Sequence, residues 1–339
     1  SSSEPCSSSG ATPVTSRLLT EPGSRAMTSR SPAMSVVVVA YGMARELPRT
    51  LCSLSAPFQR DVEAEDYEII VVDNGSPDPI RVEPTTGLQP DVRLLRLDPA
   101  PPSPARAANA GISLARGELI GLIVDGARMA SPGLLSGVRL AAQVAARPVV
   151  TAPAWHLGPA LHKHAESVGY DQQVEDDLLE AAGWAEDGYE LFSIATPAAS
   201  SARGLFGPMG ESSSLFMPRA LWSETGGLDE RFELPGGGLV NHDVYRRACL
   251  LDGVQLVVVL GEGTFHQIHG GAATSSRVTT EQMRAEYETI RGEPHRPPAN
   301  EPCFVGHVPA QYRSYLVSSV ELVEKKRRAA GAYDAAQPE

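Results

Sequence analysis

The residues able to do chemistry stand where apolar runs stop. Asp73 closes Ile69-Ile70-Val71-Val72, and Asp125 closes Leu119-Ile120-Gly121-Leu122-Ile123-Val124. Apolar runs this short read as strands buried on both faces, so each aspartate is delivered to the carboxyl edge of a sheet, where open α/β sheets bind ligands. A carboxylate there can accept a hydrogen bond from a nucleotide base or ribose, or supply oxygen to a divalent cation. Asp243 precedes Val244, Ala248 and Leu251, which repeat at helical spacing up to Gly253. That puts it at a helix N-terminus, whose dipole keeps it ionised. His266 and His269 lie in the glycine-rich stretch from Gly261 to Gly271 and offer imidazole nitrogen. A plainer role is open to each aspartate: a turn that binds its own backbone for Asp73 and Asp125, a helix cap for Asp243.

The elements that must hold these groups alternate. Strands are expected at Ser35 to Ala40, Tyr67 to Val72, Val92 to Arg96, Leu119 to Val124, Pro148 to Ala152 and Val254 to Leu260. Between them lie helical patterns. One carries Pro48 with Leu47, Leu51 and Leu54; a second carries Ala108, Ile112 and Ala115 and stops at Gly117; a third opens at Ser131-Pro132 with Leu135, Val138, Ala142 and Ala145 inward. The pattern predicts an α/β fold, a doubly wound, mixed but mostly parallel sheet flanked by helices. A nicotinamide-binding domain is excluded, because Ala40-Tyr41-Gly42-Met43-Ala44-Arg45 lacks the Gly-x-Gly-x-x-Gly that should follow the first strand. From about 154 to 210 the periodicity fails, and so long an insert reads as a lid or acceptor-binding segment. Its His156, His162 and His164 read as surface or acceptor contacts rather than a metal site, for want of a carboxylate partner. In Gly210 to Met217, Glu211 and Ser212 lead into an apolar strand and suit the floor of a sugar or acceptor pocket. Helical spacing returns at Thr280 to Arg291 and Gln311 to Arg328, a helical C-terminal extension over 276–339.

Composition narrows the partners. The chain has 339 residues, 42% hydrophobic and 21% charged, enough for a large core. A net charge of -12 disfavours nucleic acid, and an anionic substrate then needs a local positive site or a metal. No apolar stretch approaches the roughly 20 residues of a membrane span. Cys6, Cys52, Cys249 and Cys303 have no paired spacing, which fits a reducing, cytoplasmic setting. Residues 1–34, rich in Ser, Pro and Thr, read as a disordered tail. The basic run Lys325-Lys326-Arg327-Arg328 is of the kind an anionic membrane surface attracts, which would make the protein peripheral to it, and the C-terminal extension could hold a homodimer.

In order and spacing, five fragments resemble the family-2 glycosyltransferases of the GT-A fold. They are Ser35 to Tyr41 with Thr50 to Leu54; Val71 to Ser76; Asn109-Ala110-Gly111 through Gly117-Glu118 to Asp125; Thr225-Gly226-Gly227-Leu228-Asp229-Glu230-Arg231-Phe232; and Asp243 with Arg247. The resemblance implies a catalytic domain over 35–275 that moves a hexose, with inversion, from a nucleotide diphosphate sugar, UDP favoured, to a saccharide, small-molecule or peptide acceptor. It implies Asp243 as the base, a donor pocket of Ala40, Tyr41, Asp73, Arg106, Asn109 and Asp125, and acceptor contacts from Glu211, Ser212 and His242. Asp125 stands at the first acid of the family's Asp-x-Asp metal motif, and with His269, or alternatively His266, it would hold Mn²⁺ in preference to Mg²⁺, since Mn²⁺ accepts a mixed oxygen and nitrogen set. Arg106 or Arg128 would neutralise the diphosphate if no metal does. The sequence departs from the family at Ala127, where a second carboxylate is usual, at His242 in place of Glu, and at Ala108, where Arg is common. These departures keep open a catalytically impaired nucleotide-sugar-binding or regulatory module. A sugar nucleotidyltransferase would need a glycine-rich basic loop after the first strand, which Tyr41 to Arg45 does not supply.

Overall fold

Runs of β-branched residues without polar interruption form the middle of the main sheet, where both faces are covered. β1 (Arg17–Leu18), β2 (Met34–Ala40), β3 (Tyr67–Asp73), β4 (Val92–Arg96) and β5 (Leu119–Ile123) are joined by α1 (Leu47–Leu54), between β2 and β3, and by α2 (Ala105–Leu114), between β4 and β5. After β5 come β6 (Arg128–Ala130), α3 (Leu134–Ala141), β7 (Pro148–Thr151) and β8 (Ala154–Leu157). α4 (Gln172–Ala182), β9 (Ala195–Pro197), β10 (Ser214–Pro218), α5 (Arg219–Thr225), α6 (Val240–Cys249), β11 (Gln255–Leu260) and β12 (Thr264–His266) follow. The chain closes with α7 (Thr280–Arg291), β13 (Cys303–Gly306) and α8 (Arg313–Ala329). This computed structural model describes residues 17–18, 31–81, 90, 92–208, 213–270 and 278–329.

Among the described residues the main sheet runs β1-β4-β3-β2-β5-β10-β7-β11-β13. β4, β3, β2 and β5 are parallel, β10 is antiparallel to both its neighbours, and β7, β11 and β13 are parallel again. The architecture is therefore mixed α/β with a mostly parallel sheet flanked by helices. The chain winds outward from β2 to β4 and then returns beside β2 as β5, so strand order reverses between β2 and β5, the point at which such sheets leave a crevice.

The two-residue period of the strands sorts their side chains. Val37 and Val39 pack with Ala107, Ala108, Leu221 and Val244 on one face, against α2, α5 and α6. Val36 and Val38 pack with Leu47, Leu51, Leu134 and Val138 on the other, against α1 and α3. A third core is aromatic: Trp155, Phe192, Phe265, Tyr312 and Tyr315 join the insert and α8 to a smaller sheet, β6-β12-β8-β9.

Several expectations change. The helix after Asp125 begins at Leu134 with Gly133 before it, rather than at Ser131, because the Ser131 hydroxyl donates to Glu262 at 2.6 Å and accepts from the Gly263 N–H. The segment 154–210, irregular by periodicity, contains β8, α4 and β9 packed on the aromatic core. Beyond 278 the chain is helical in α7 and α8, and it also adds β13 to the main sheet. The tail expected over 1–34 falls outside the described residues except at 17–18 and 31–34. Cys52, Cys249 and Cys303 are free thiols, and among the described residues no helix is long and apolar enough to cross a membrane.

Candidate metal and nucleotide site

The chain turns just after β5, and Asp125 is divided between two tasks. Its Oδ1 accepts the Ala127 N–H at 2.9 Å and its carbonyl accepts the Arg128 N–H at 3.1 Å, the turn role expected of a strand-end aspartate. A Cβ at Gly126 would lie 2.7 Å from Ala40 Cβ, so glycine lets this turn rest on the end of β2. The second oxygen, Oδ2, faces two imidazoles. His266 Nε2 donates to it at 2.8 Å, His269 Nε2 lies 3.4 Å away, and the two nitrogens are 3.0 Å apart. Asp125, His266 and His269 thus meet at one point, a group of side chains that could hold a divalent cation. Both histidines meet Asp125, although the sequence presented His266 only as the alternative to His269.

The fold places these imidazoles from two sides. His266 is paired across β12 with Arg128 of β6 and with His156 of β8. The loop that follows is pinned by its backbone: Gln267 N–H donates to Ala127 O at 2.9 Å, and Ile268 N–H donates to Glu175 Oε2 at 2.7 Å. Arg45 donates to Ile268 O at 3.3 Å and also pairs with Glu46, Glu175 and Asp176. Helix α4 of the insert therefore fixes where His269 sits. Sequence reading missed Glu175 and Arg45, which lie 130 residues apart and signal nothing jointly.

Electrostatics fits a cation site. Burial pushes the Asp125 carboxyl up, but His266 and His269 outweigh it and hold the group well below the usual carboxylate range. Burial lowers His266 and keeps it neutral, whereas for His269 the Asp125 charge overcomes burial and raises it. Burial raises Glu175 to about 7 despite its partners Ile268 and Arg45. Arg128 is half-buried beside these groups, and its Nε and Nη1 have no hydrogen-bond partner among the described residues. A buried guanidinium with unused donors is suited to an anion.

The remaining site expectations divide. Tyr41, 56% exposed at the end of β2, is open to a ligand, and Ala40 lies beneath it with its carbonyl engaged by Asn74. Asp73 is buried and serves its own turn: Oδ1 accepts from Ser76 N–H at 2.8 Å, and Oδ2 accepts from Ile80 N–H and Arg96. Arg106 is half-buried in the first turn of α2. Asn109 bonds both the N–H and the carbonyl of Leu228 and reaches Glu230, tying α2 to the loop after α5. His242 packs edge-on against His295, and His164 is exposed. Glu211 and Ser212 lie outside the described residues.

Asp243 departs most from expectation. It is 0% exposed in the first turn of α6, and both oxygens accept from guanidiniums: Arg291 at 2.6 and 2.7 Å, Arg247 at 2.8 Å. Arg247 also donates to the carbonyls of Thr225 and Gly227, and Arg291 pairs with Asp229 at 2.8 Å. So placed, Asp243 ties α6 to α7 and to the loop after α5, and both its oxygens are taken by guanidiniums in this structure.

Residues 35–126 match the family described as glycosyl transferase family 2. No curated protein matches the chain. Among solved structures, S. aureus TarS 1-349 is 14% identical over 69% of this chain with a TM-score of 0.43, and its complex with UDP-GlcNAc is 13% identical over 87% of this chain and 72% of that one, with a TM-score of 0.47. The chain spans 60% of the first TarS 1-349 structure and 40% of the longer TarS structure. The mannosyltransferase PcManGT from Pyrobaculum calidifontis, in complex with GDP-Man and Mn²⁺, is 14% identical, with 92% of this chain and 77% of that chain covered and a TM-score of 0.46. The match over 35–126 takes in β2, β3, α2, β5 and Asp125, and in that stretch the chain resembles the family-2 glycosyltransferases.

Proposed function

We propose that this protein is a glycosyltransferase that binds a nucleotide diphosphate sugar, UDP favoured, across the ends of β2 and β5 and transfers its hexose with inversion. The observation that carries the reading is the convergence of Asp125 Oδ2 with His266 and His269 Nε2 at the point where strand order reverses. Asp125 and His269, with His266 beside them, would hold a divalent cation, and this mixed oxygen and nitrogen set suits Mn²⁺ better than Mg²⁺. Bound there, the cation would supply charge neutralisation for the departing diphosphate. Arg128 offers unused N–H donors to the same phosphates, and exposed Tyr41 offers a stacking face to the base.

An inverting transfer needs a base for the acceptor hydroxyl. Asp243 would take that proton once its clamp by Arg247 and Arg291 opens, and with the clamp closed it serves the scaffold. The clamp, together with Ala127 in place of a second acid, favours one further reading, a module that binds nucleotide sugars without transferring them. Calorimetry with UDP and GDP, with and without Mn²⁺, tests the site. UDP should bind at least tenfold more tightly with Mn²⁺, and Asp125→Ala should erase that gain; equal affinity with and without metal sinks the reading. Release of free sugar from UDP-hexoses separates the enzyme from the binding module.

A further inference from the structure

Beside the Asp125 site, three imidazoles from three segments of chain come together. His156 belongs to β8 and His266 to β12, where the two are register partners, while His162 stands on a single helical turn in the insert, His162–His164. One nitrogen from each ring lies within 4.8 Å of the others. His162 and His266 are each 4% exposed, and the Nδ1 of each is buried with no hydrogen-bond partner among the described residues. Their other nitrogens fix the tautomer. His162 Nε2–H donates to Leu157 O at 3.1 Å and His266 Nε2–H donates to Asp125 at 2.8 Å, so both lone pairs lie on the unpartnered Nδ1 atoms. A metal-bound histidine characteristically donates its far N–H to a carbonyl or a carboxylate in this way.

We propose that His156, His162 and His266 form a second cation site, which takes Zn²⁺ or a similar imidazole-seeking metal and does so without nucleotide. Three imidazole nitrogens with no carboxylate ligand select Zn²⁺, Cu²⁺ or Ni²⁺ over Mn²⁺ and Mg²⁺. Tetrahedral Zn²⁺ would bring the nitrogens to roughly 3.4 Å apart, so the rings need close by no more than about 1.4 Å on binding. His156 Nδ1 accepts the His162 backbone N–H at 3.3 Å, a long bond that coordination through that atom would displace. Water would complete the shell. Ligation through Nδ1 keeps the His266 Nε2–H on Asp125 and leaves His269 as the nitrogen ligand of the donor cation.

The proposal does not depend on glycosyl transfer. The test uses the full chain, stripped with chelator, and titrates Zn²⁺ alone in calorimetry and Co²⁺ alone by visible absorption. One Zn²⁺ per chain is expected, with a tetrahedral Co²⁺ spectrum. His162→Ala and His156→Gln should each weaken both by tenfold or more, while His269→Ala leaves them unchanged. His156 is only half-buried, so its variant decides the matter if His162→Ala fails to fold. The proposal is overturned if Zn²⁺ does not bind, if His156→Gln binds it as the unaltered chain does, or if His269→Ala alone abolishes binding, which would put the ion on Asp125.

Discussion

Asp125 and Asp243 are both aspartates in the turn that ends a strand or opens a helix, yet their surroundings are opposite. Around Asp243 every charge has its partner: two guanidiniums occupy both oxygens, and those guanidiniums also hold Asp229 and two carbonyls. Around Asp125 one oxygen serves the turn, the other meets two imidazoles that attract the same point, and Arg128 nearby has donors left over. The first arrangement has its lowest energy as it stands. The second gains from a ligand, because a cation and an anion would satisfy groups the protein leaves facing each other. Saturation of a buried charge marks scaffold, and its absence marks a site.

The largest effect that could break this contrast is at Asp243. Asp243→Asn removes one charge from a buried cluster and leaves Arg247 with no carboxylate and Arg291 with Asp229 alone, so the fold should lose about 3–5 kcal/mol. Urea denaturation reads this directly. An Asp243→Asn protein of unchanged stability that has lost transfer would restore the aspartate as the base.

Glu175 tests the link between the insert and the site. Its folded value of about 7 lies above the ordinary 4.5, so between those pH values the folded state binds more protons than the unfolded one, and stability falls as pH rises through that window. The span corresponds to about 3 kcal/mol. Glu175→Gln should flatten the fall, with its stability gain over the unaltered chain greatest above pH 7; parallel melting-temperature profiles for the two proteins would contradict this.

Asp125→Asn should cost the fold clearly less than Asp243→Asn and reduce Mn²⁺-dependent donor turnover on the order of 100-fold. A matching loss of stability would make Asp125 a second strut and erase the contrast. Smallest is Arg128→Ala, which should weaken nucleotide diphosphate binding about tenfold, the scale of one hydrogen bond to a charged group, with little effect on the nucleoside. Equal loss for nucleoside and diphosphate would point to altered packing.

Local chemistry was legible in the sequence and long-range pairing was not. The strands at 92–96 and 119–123 and the helix at 280–291 follow from apolar period and turn residues that lie within each segment. The resemblance over 35–126 was visible as motifs because they, too, are local. The clamp on Asp243 was not legible, since it depends on Arg291, 48 residues later, and nothing in either segment announces the pair. His156 and His162 looked like surface residues for a similar reason: their carboxylate neighbour reaches them only through His266, by a strand register that periodicity cannot supply. Helix α3 started late because Glu262, from the far end of the chain, claimed its intended cap.

β13 gives the last strands of the main sheet an exposure problem that the chain solves by its own length. It pairs in parallel with Val257 to Leu260 of β11, an apolar strand whose other edge is already taken by β7. A chain cut short before Cys303 would present the backbone donors and acceptors of β11 as an open edge beside four hydrophobic side chains, a template for pairing with another molecule. Truncation at that point also removes Tyr312 and Tyr315 from the aromatic core under β12, so self-association and loss of solubility should come together with a weakened ligand site at His266.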